Sequence, residues 1–253
     1  MSELNDRMGM ERDFAKRLSR LTARQRKELR ELLGTPPDVS RITAADWQRW
    51  EDERRKELTL ILLAVFLASV RQHVGEMLAG EPMDDATMVA VNREALAKAG
   101  ALAAESASSA ISTAREIVTA SAEVLATGTA ADVESVLVSA LGPERDAVTA
   151  ATATTAAQTA GTNAARIPVE AAGFQMTTRW VTEKDSKVCP LCRPLNGKVP
   201  DLWGLVLENA LAPGGTRARD SVIANGGPPA HPNCRCYLET KAEPVARRVR
   251  VAG

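Results

Sequence analysis

VCPLC (Val188 to Cys192) and HPNCRC (His231 to Cys236) hold all four cysteines of the chain and one of its two histidines. A Cys-x-x-Cys turn lets two thiolates converge on one ion, and His231-x-x-Cys234 supplies a second short-spaced pair, the pattern of tetrahedral zinc. Five donors, Cys189, Cys192, His231, Cys234 and Cys236, compete for four positions. The two Cys-x-x-Cys thiolates with His231 and Cys234 are the favoured set. Cys236, two residues on in a strand-like CRCYL, can stand in for His231, and spacing does not decide between them.

Other uses of the cysteines fit less well. No apolar leader precedes the chain, so a reducing compartment is expected rather than disulfides. A redox Cys-x-x-Cys heads a helix in a βαβ unit, whereas Pro194, Asn196, Gly197 and Pro200 follow this one. Catalytic zinc keeps an open coordination position beside an acid or base. Five local donors for four places point instead to a closed, structural zinc, a cofactor that folds the segment around it.

Outward from this stretch, the 253 residues carry zero formal net charge, with a quarter of them charged, so the total indicates neither nucleic acid nor membrane. From Leu67 to Gly173 there is no Phe, Trp or Tyr. Alanine and threonine dominate there, which predicts long helices packed closely through small residues, as in an assembly component.

Met10, Phe14, Leu18, Leu21, Leu29 and Leu32 form one stripe of an amphipathic helix with a basic flank. Thr22-x-x-Gln25 has the form of a capping box and predicts a short break in it. Gly34 and Pro36-Pro37 end the helix and begin a linker. Thr43, supported by Asp46, caps a helix running to about Ala79. Its centre, LTLILLAVFLASV (Leu58 to Val70), is apolar all round. It reads as a buried core helix, being shorter than the ~20 residues a membrane span takes; a membrane-active ejection segment is the lesser reading. His73 is expected on the surface.

Asp84 to Leu125 reads as one helix about 60 Å long. Thr129, with Asp132, caps Ala130 to Leu141, and Pro143 opens a helix towards Arg166. QMTTRWVT and CYLETK have the β-branched and aromatic character of two paired strands. Between the ligand pairs a short helix is expected over Leu202 to Leu211, and PGGTRARD and NGGPP read as loop. The fold class is thus mainly α with a small C-terminal α+β module: an extended helical front followed by a zinc-stapled two-strand unit. The divisions are 1-82, an N-terminal helical region with the apolar helix; 83-142, an Ala-rich helical region; 143-240, the zinc module; and 241-253, a basic tail.

RWVTEKDSKVCPLCRPLNGKV (Arg179 to Val199), then PPAHPNCRCYL (Pro228 to Leu238), preceded by TAGTNAARIPVEAAGF, resembles the C-terminal head-morphogenesis module of the phage Mu F-like minor head proteins of tailed bacteriophages. The resemblance covers roughly Pro143 to Leu238. It rests on Trp180, Thr182, Asp185, both cysteine pairs, Gly197 and the HPNC run in order. It implies a structural minor capsid protein made in the host bacterial cytoplasm and carried in the virion near the portal vertex, in several copies. The implied partners are the portal protein and the major capsid or other head subunits. The five metal candidates carry over, with Trp180 and Asp185 as supporting positions.

The chain ends soon after HPNCRC, without the toxin or transferase domains that some relatives append, so no enzymatic role is expected. The runner-up is a portal-proximal DNA-contacting or ejected protein. Arg247, Arg248 and Arg250 of the tail, near Lys241, could neutralise about three phosphates of packaged DNA without reading sequence. A metal-dependent nuclease comes last, because His73 lies far from His231. The zinc-deaminase His-x-Glu signature fails, and neither a phosphate loop nor a Ser/His/Asp set is present.

Overall fold

The structure, a computed structural model, describes residues 2–78, 83–182, 188–208 and 215–245. It is mostly helical, with one small antiparallel sheet near the C-terminus. The elements run α1 (Ser2–Leu33), α2 (Ala44–Met77), α3 (Asp85–Ala120), α4 (Ala122–Thr127), α5 (Ala130–Ala140), α6 (Pro143–Ala164), α7 (Arg166–Ala171), β1 (Phe174–Val181), α8 (Pro200–Glu208), α9 (Gly215–Asn225) and β2 (Tyr237–Pro244). They form two compact units, each drawn from two stretches of chain: 1–63 with 98–154, and 64–97 with 155–253.

The first unit's core mixes large and small side chains. Leu29, Leu33, Trp47, Trp50, Leu125 and Leu137 share a core with Ala114, Val118 and Ala140. Trp47 and Trp50 meet edge to face, centroids 5.1 Å apart. Both expected caps are present. Thr43 Oγ1 accepts from the Asp46 N–H while Asp46 accepts from the Thr43 N–H. Thr129 and Asp132 close the same reciprocal box on α5. The basic flank of α1 meets the acidic residues of α2: Arg17 pairs with Glu57 and Arg24 with Glu53, each at 2.9 Å.

The predicted break at Thr22-x-x-Gln25 is absent, and α1 is continuous. Both side chains are buried and serve a different purpose. Arg54 on α2 donates to Thr22 Oγ1 at 2.6 Å and to Gln25 Oε1 at 2.9 Å. Thr22 donates to Asp146 Oδ1 at 2.8 Å, and the Arg54 guanidinium lies 3.5 Å from the same oxygen. Burial lowers the Arg54 pKa and raises that of Asp146, outweighing their mutual attraction in both cases. The helix forecast over Asp84 to Leu125 bends at Ser121, between α3 and α4, although hydrogen bonds run on through it.

In the second unit α6 approaches α2 closely. A Cβ on Gly161 would lie 2.6 Å from the Phe66 carbonyl oxygen and 2.8 Å from Ser69 Cβ. This is the small-residue packing that the aromatic-free composition predicts. His73 is buried, not at the surface: its ring nitrogens meet Ser69 O at 2.9 Å and Thr162 Oγ1 at 3.4 Å. The apolar run is also part of a longer apolar helix than its thirteen residues suggest. By length and composition α2 could cross a membrane, with mean hydropathy 1.6 over 18 residues. Half of that window is buried within the protein, as a core helix would be.

β1 and β2 pair antiparallel, from Phe174 opposite Pro244 to Val181 opposite Tyr237. Met176, Thr178 and Trp180 turn inward and their neighbours outward, the period-two alternation of a half-buried strand. α8 starts where a helix was expected and buries Trp203 and Leu207. α9 was not expected. It runs through part of the segment read as loop and buries Ala218 and Val222, one turn apart, in the same core as Trp180.

Candidate metal centre

The second unit's core is built around the cysteines, with Trp180, Leu195, Trp203, Leu207, Val222 and Leu238 packed about Cys192, Cys234 and Cys236. β1 reaches the site at Trp180, where two backbone bonds clamp the following loop: Trp180 N–H to Lys198 O at 2.8 Å and Gly197 N–H to Trp180 O at 2.7 Å. Gly197 takes φ +76°, a conformation costly for a side chain, which lets the loop double back there. Trp203 donates its indole N–H to the same Lys198 carbonyl and meets Trp180 edge to face at 5.5 Å.

Cys189-Pro-Leu-Cys192 makes a single helical turn. The Arg193 N–H reaches Cys189 O at 3.1 Å and the Cys192 N–H reaches Cys189 Sγ at 3.3 Å. No long helix follows, only the 3₁₀ turn Arg193–Leu195. His231-Pro-Asn-Cys234 is a reverse turn closed by Cys234 N–H to His231 O at 3.2 Å. Asn233 sits at φ +59°, the left-handed position that a type II turn requires and that Asn tolerates.

The two turns bring their donors together. Cys189 Sγ lies 2.9 Å and Cys192 Sγ 3.2 Å from His231 Nε2, and Cys192 Sγ lies 3.8 Å from Cys234 Sγ. Two overlapping groups result, Cys189/Cys192/His231 and Cys192/Cys234/Cys236, each with its donor atoms within 4.8 Å of one another. Cys192 belongs to both. His231 Nδ1 lies 2.7 Å from Pro232 O, and a carbonyl only accepts. A neutral imidazole therefore carries its proton on Nδ1 and presents a bare Nε2 to the two sulfurs, the tautomer a metal ligand uses.

The thiols are electrostatically coupled. Cys192 is pushed up, chiefly by its hydrogen bond to Cys234 and then by that to Cys236. Cys234 is lowered to about 2 by hydrogen bonds from the same two thiols. Cys236 is held down by Cys192 but raised more by Cys234 and burial, to about 12. A divalent cation would stabilise all three as thiolates. These Cys and His side chains could hold a metal ion. None of the four cysteines is in a disulfide, and one buried donor beside them, the Trp180 indole N–H, has no hydrogen-bond partner. An orphaned donor next to sulfur suits a metal-bound thiolate, and the residues fit the ion.

A family model for phage Mu protein F-like proteins matches residues 94–239. The chain belongs to that family. No curated protein and no solved structure matches it. The Mu F-like match takes in both cysteine turns, β1 and the start of β2, and it reaches back beyond Pro143, where the sequence resemblance starts, into α3. The family is one of phage head morphogenesis proteins.

All five metal candidates lie within the match and meet in one place. Trp180 stands in their shared core. Asp185, Arg247, Arg248 and Arg250 lie outside the described residues. Sequence reasoning missed α9 as a wall of the centre: Ser221 on it donates to Pro229 O at 3.0 Å, holding the approach to His231. The four-residue spacing of Ala218 and Val222 was the available signal.

Proposed function

We propose that this protein is a minor structural component of a tailed-phage head that joins the portal vertex during assembly, in several copies, with a structural zinc and no catalytic role. The observation that carries this reading is the family match, which runs from within α3 through both cysteine turns. Cys189, Cys192, His231, Cys234 and Cys236 supply the donors. When bound, zinc would cross-link the two turns and add folding free energy to the core packed around them.

The chain's own residues prepare the place. The Cys192 N–H orients Cys189, the Pro232 carbonyl fixes the His231 tautomer, and Trp180 with Trp203 shields the buried sulfurs from water. Among the exposed large apolar side chains, Leu202, Leu205 and Ile223 on α8 and α9 are available to a neighbouring head subunit. The experiment is capture of the cognate portal protein by purified, metal-loaded protein. Co-elution supports the reading, and its loss in Leu205→Glu with metal retained would place the contact on α8. Failure of the unaltered protein to bind either portal or other head subunits would overturn it.

A further inference from the structure

We propose that Cys236 is one of the metal's ligands and that the Trp180 indole N–H donates to its sulfur, fixing that ligand from outside the coordination shell; this rests on reading the cluster as a zinc site.

Sheet register places the two residues. Trp180 pairs with Leu238 across the sheet, and Cys236, just ahead of β2 and two residues before Leu238, is buried with both in one core. Trp180 is buried completely. The indole is held in place by the bonds of its own backbone to Gly197 and Lys198 and by the edge of Trp203. Its N–H finds no other hydrogen-bond partner, which a buried donor rarely tolerates.

Burial separates the five candidates in the same way. Cys192, Cys234 and Cys236 are all buried with their sulfurs within 4.8 Å of one another, while Cys189 and His231 are only partly covered. The buried trio gives three thiolate ligands, and the fourth place falls to Cys189 or His231, 2.9 Å from each other beside Cys192. Cys236 is then not a bystander that replaces His231 when needed, but part of the fixed set. Trp180 is a positioning residue, acting through that thiolate.

The test is metal affinity by chelator competition on the full chain, for the parent, Trp180→Phe and Cys236→Ser, with cobalt as a spectroscopic probe of thiolate number. Trp180→Phe is expected to weaken zinc binding about 10–100-fold, the range for outer-shell partners. Cys236→Ser is expected to weaken it further and to lower the cobalt–thiolate charge-transfer band. Because Trp180 is a core residue, a second measurement uses the unaltered protein loaded with NMR-active cadmium. Scalar coupling between cadmium and the Trp180 indole proton is expected across the N–H···S bond. Parent-like affinity in both variants with no coupling would overturn the inference while leaving the zinc site standing. A parent that takes up no metal would overturn both.

Discussion

Replacing Asp146 with Ala is expected to destabilise the unit formed by 1–63 and 98–154 by about 3–5 kcal/mol, the cost of leaving one charge of a buried pair alone. The side chains of Arg54 and Asp146 are 3% and 2% exposed, so water cannot replace the lost partner. At 3.5 Å and an effective dielectric constant of about 20, the two charges attract by roughly 5 kcal/mol. Burial opposes this attraction, and it is the first cause of the shift in both groups. The pair should therefore be worth little against a well-packed apolar pair of similar volume, so Arg54→Met with Asp146→Leu should recover most of the loss. Urea unfolding followed by tryptophan fluorescence reads this, since Trp47 and Trp50 belong to the same unit. The pH dependence has a definite sign. Asp146 is raised in the folded state, so its titration contributes stability that is present below the unfolded carboxylate pKa and lost as pH rises through the raised native value. Relative to Asp146→Asn, the parent should lose stability over that rise. An Asp146→Ala protein within about 1 kcal/mol of the parent would refute the reasoning, because it would mean that Arg54 reaches water or another acceptor.

Two further outcomes follow from packing and from the cysteine turns. Gly161→Val should cost about 1–3 kcal/mol by thermal or urea unfolding, since even a Cβ would sit 2.6 Å from the Phe66 carbonyl and the helices must separate; an unchanged midpoint would show that the approach is looser. Cys189→Ser with Cys192→Ser should abolish metal uptake and make the chain beyond Phe174 protease-sensitive while most of the circular dichroism of α1 to α6 persists. Retained protease resistance there would contradict a fold-holding metal.

What could be read in the sequence was local. Thr43 with Asp46 and Thr129 with Asp132 are caps because each pair closes within one turn. Thr177, Thr178, Trp180 and Val181 announce a strand through their β-branched and aromatic side chains. The two cysteine turns announced their convergence through short spacing. What was misread depended on distant partners. Thr22 and Gln25 have the spacing of a cap, yet Thr22 bonds Asp146, 124 residues away, and Gln25 bonds Arg54. His73 was placed at the surface because its partner Thr162 lies 89 residues on. α9 was hidden because its sequence opens Gly-Thr-Arg-Ala-Arg-Asp after Pro-Gly, and only two small apolar residues mark its buried side. Within the metal centre, spacing nominated all five donors, but the buried trio emerges only when the fold packs Cys192, Cys234 and Cys236 into one core with Trp180.

The most direct test of the account is metal content of protein purified under reducing conditions, combined with thiol alkylation before and after a chelator. About one zinc per chain, with the cysteines resisting alkylation until the chelator is added, is the predicted result. Protein without zinc whose cysteines react only after reduction would mean disulfides and would contradict it.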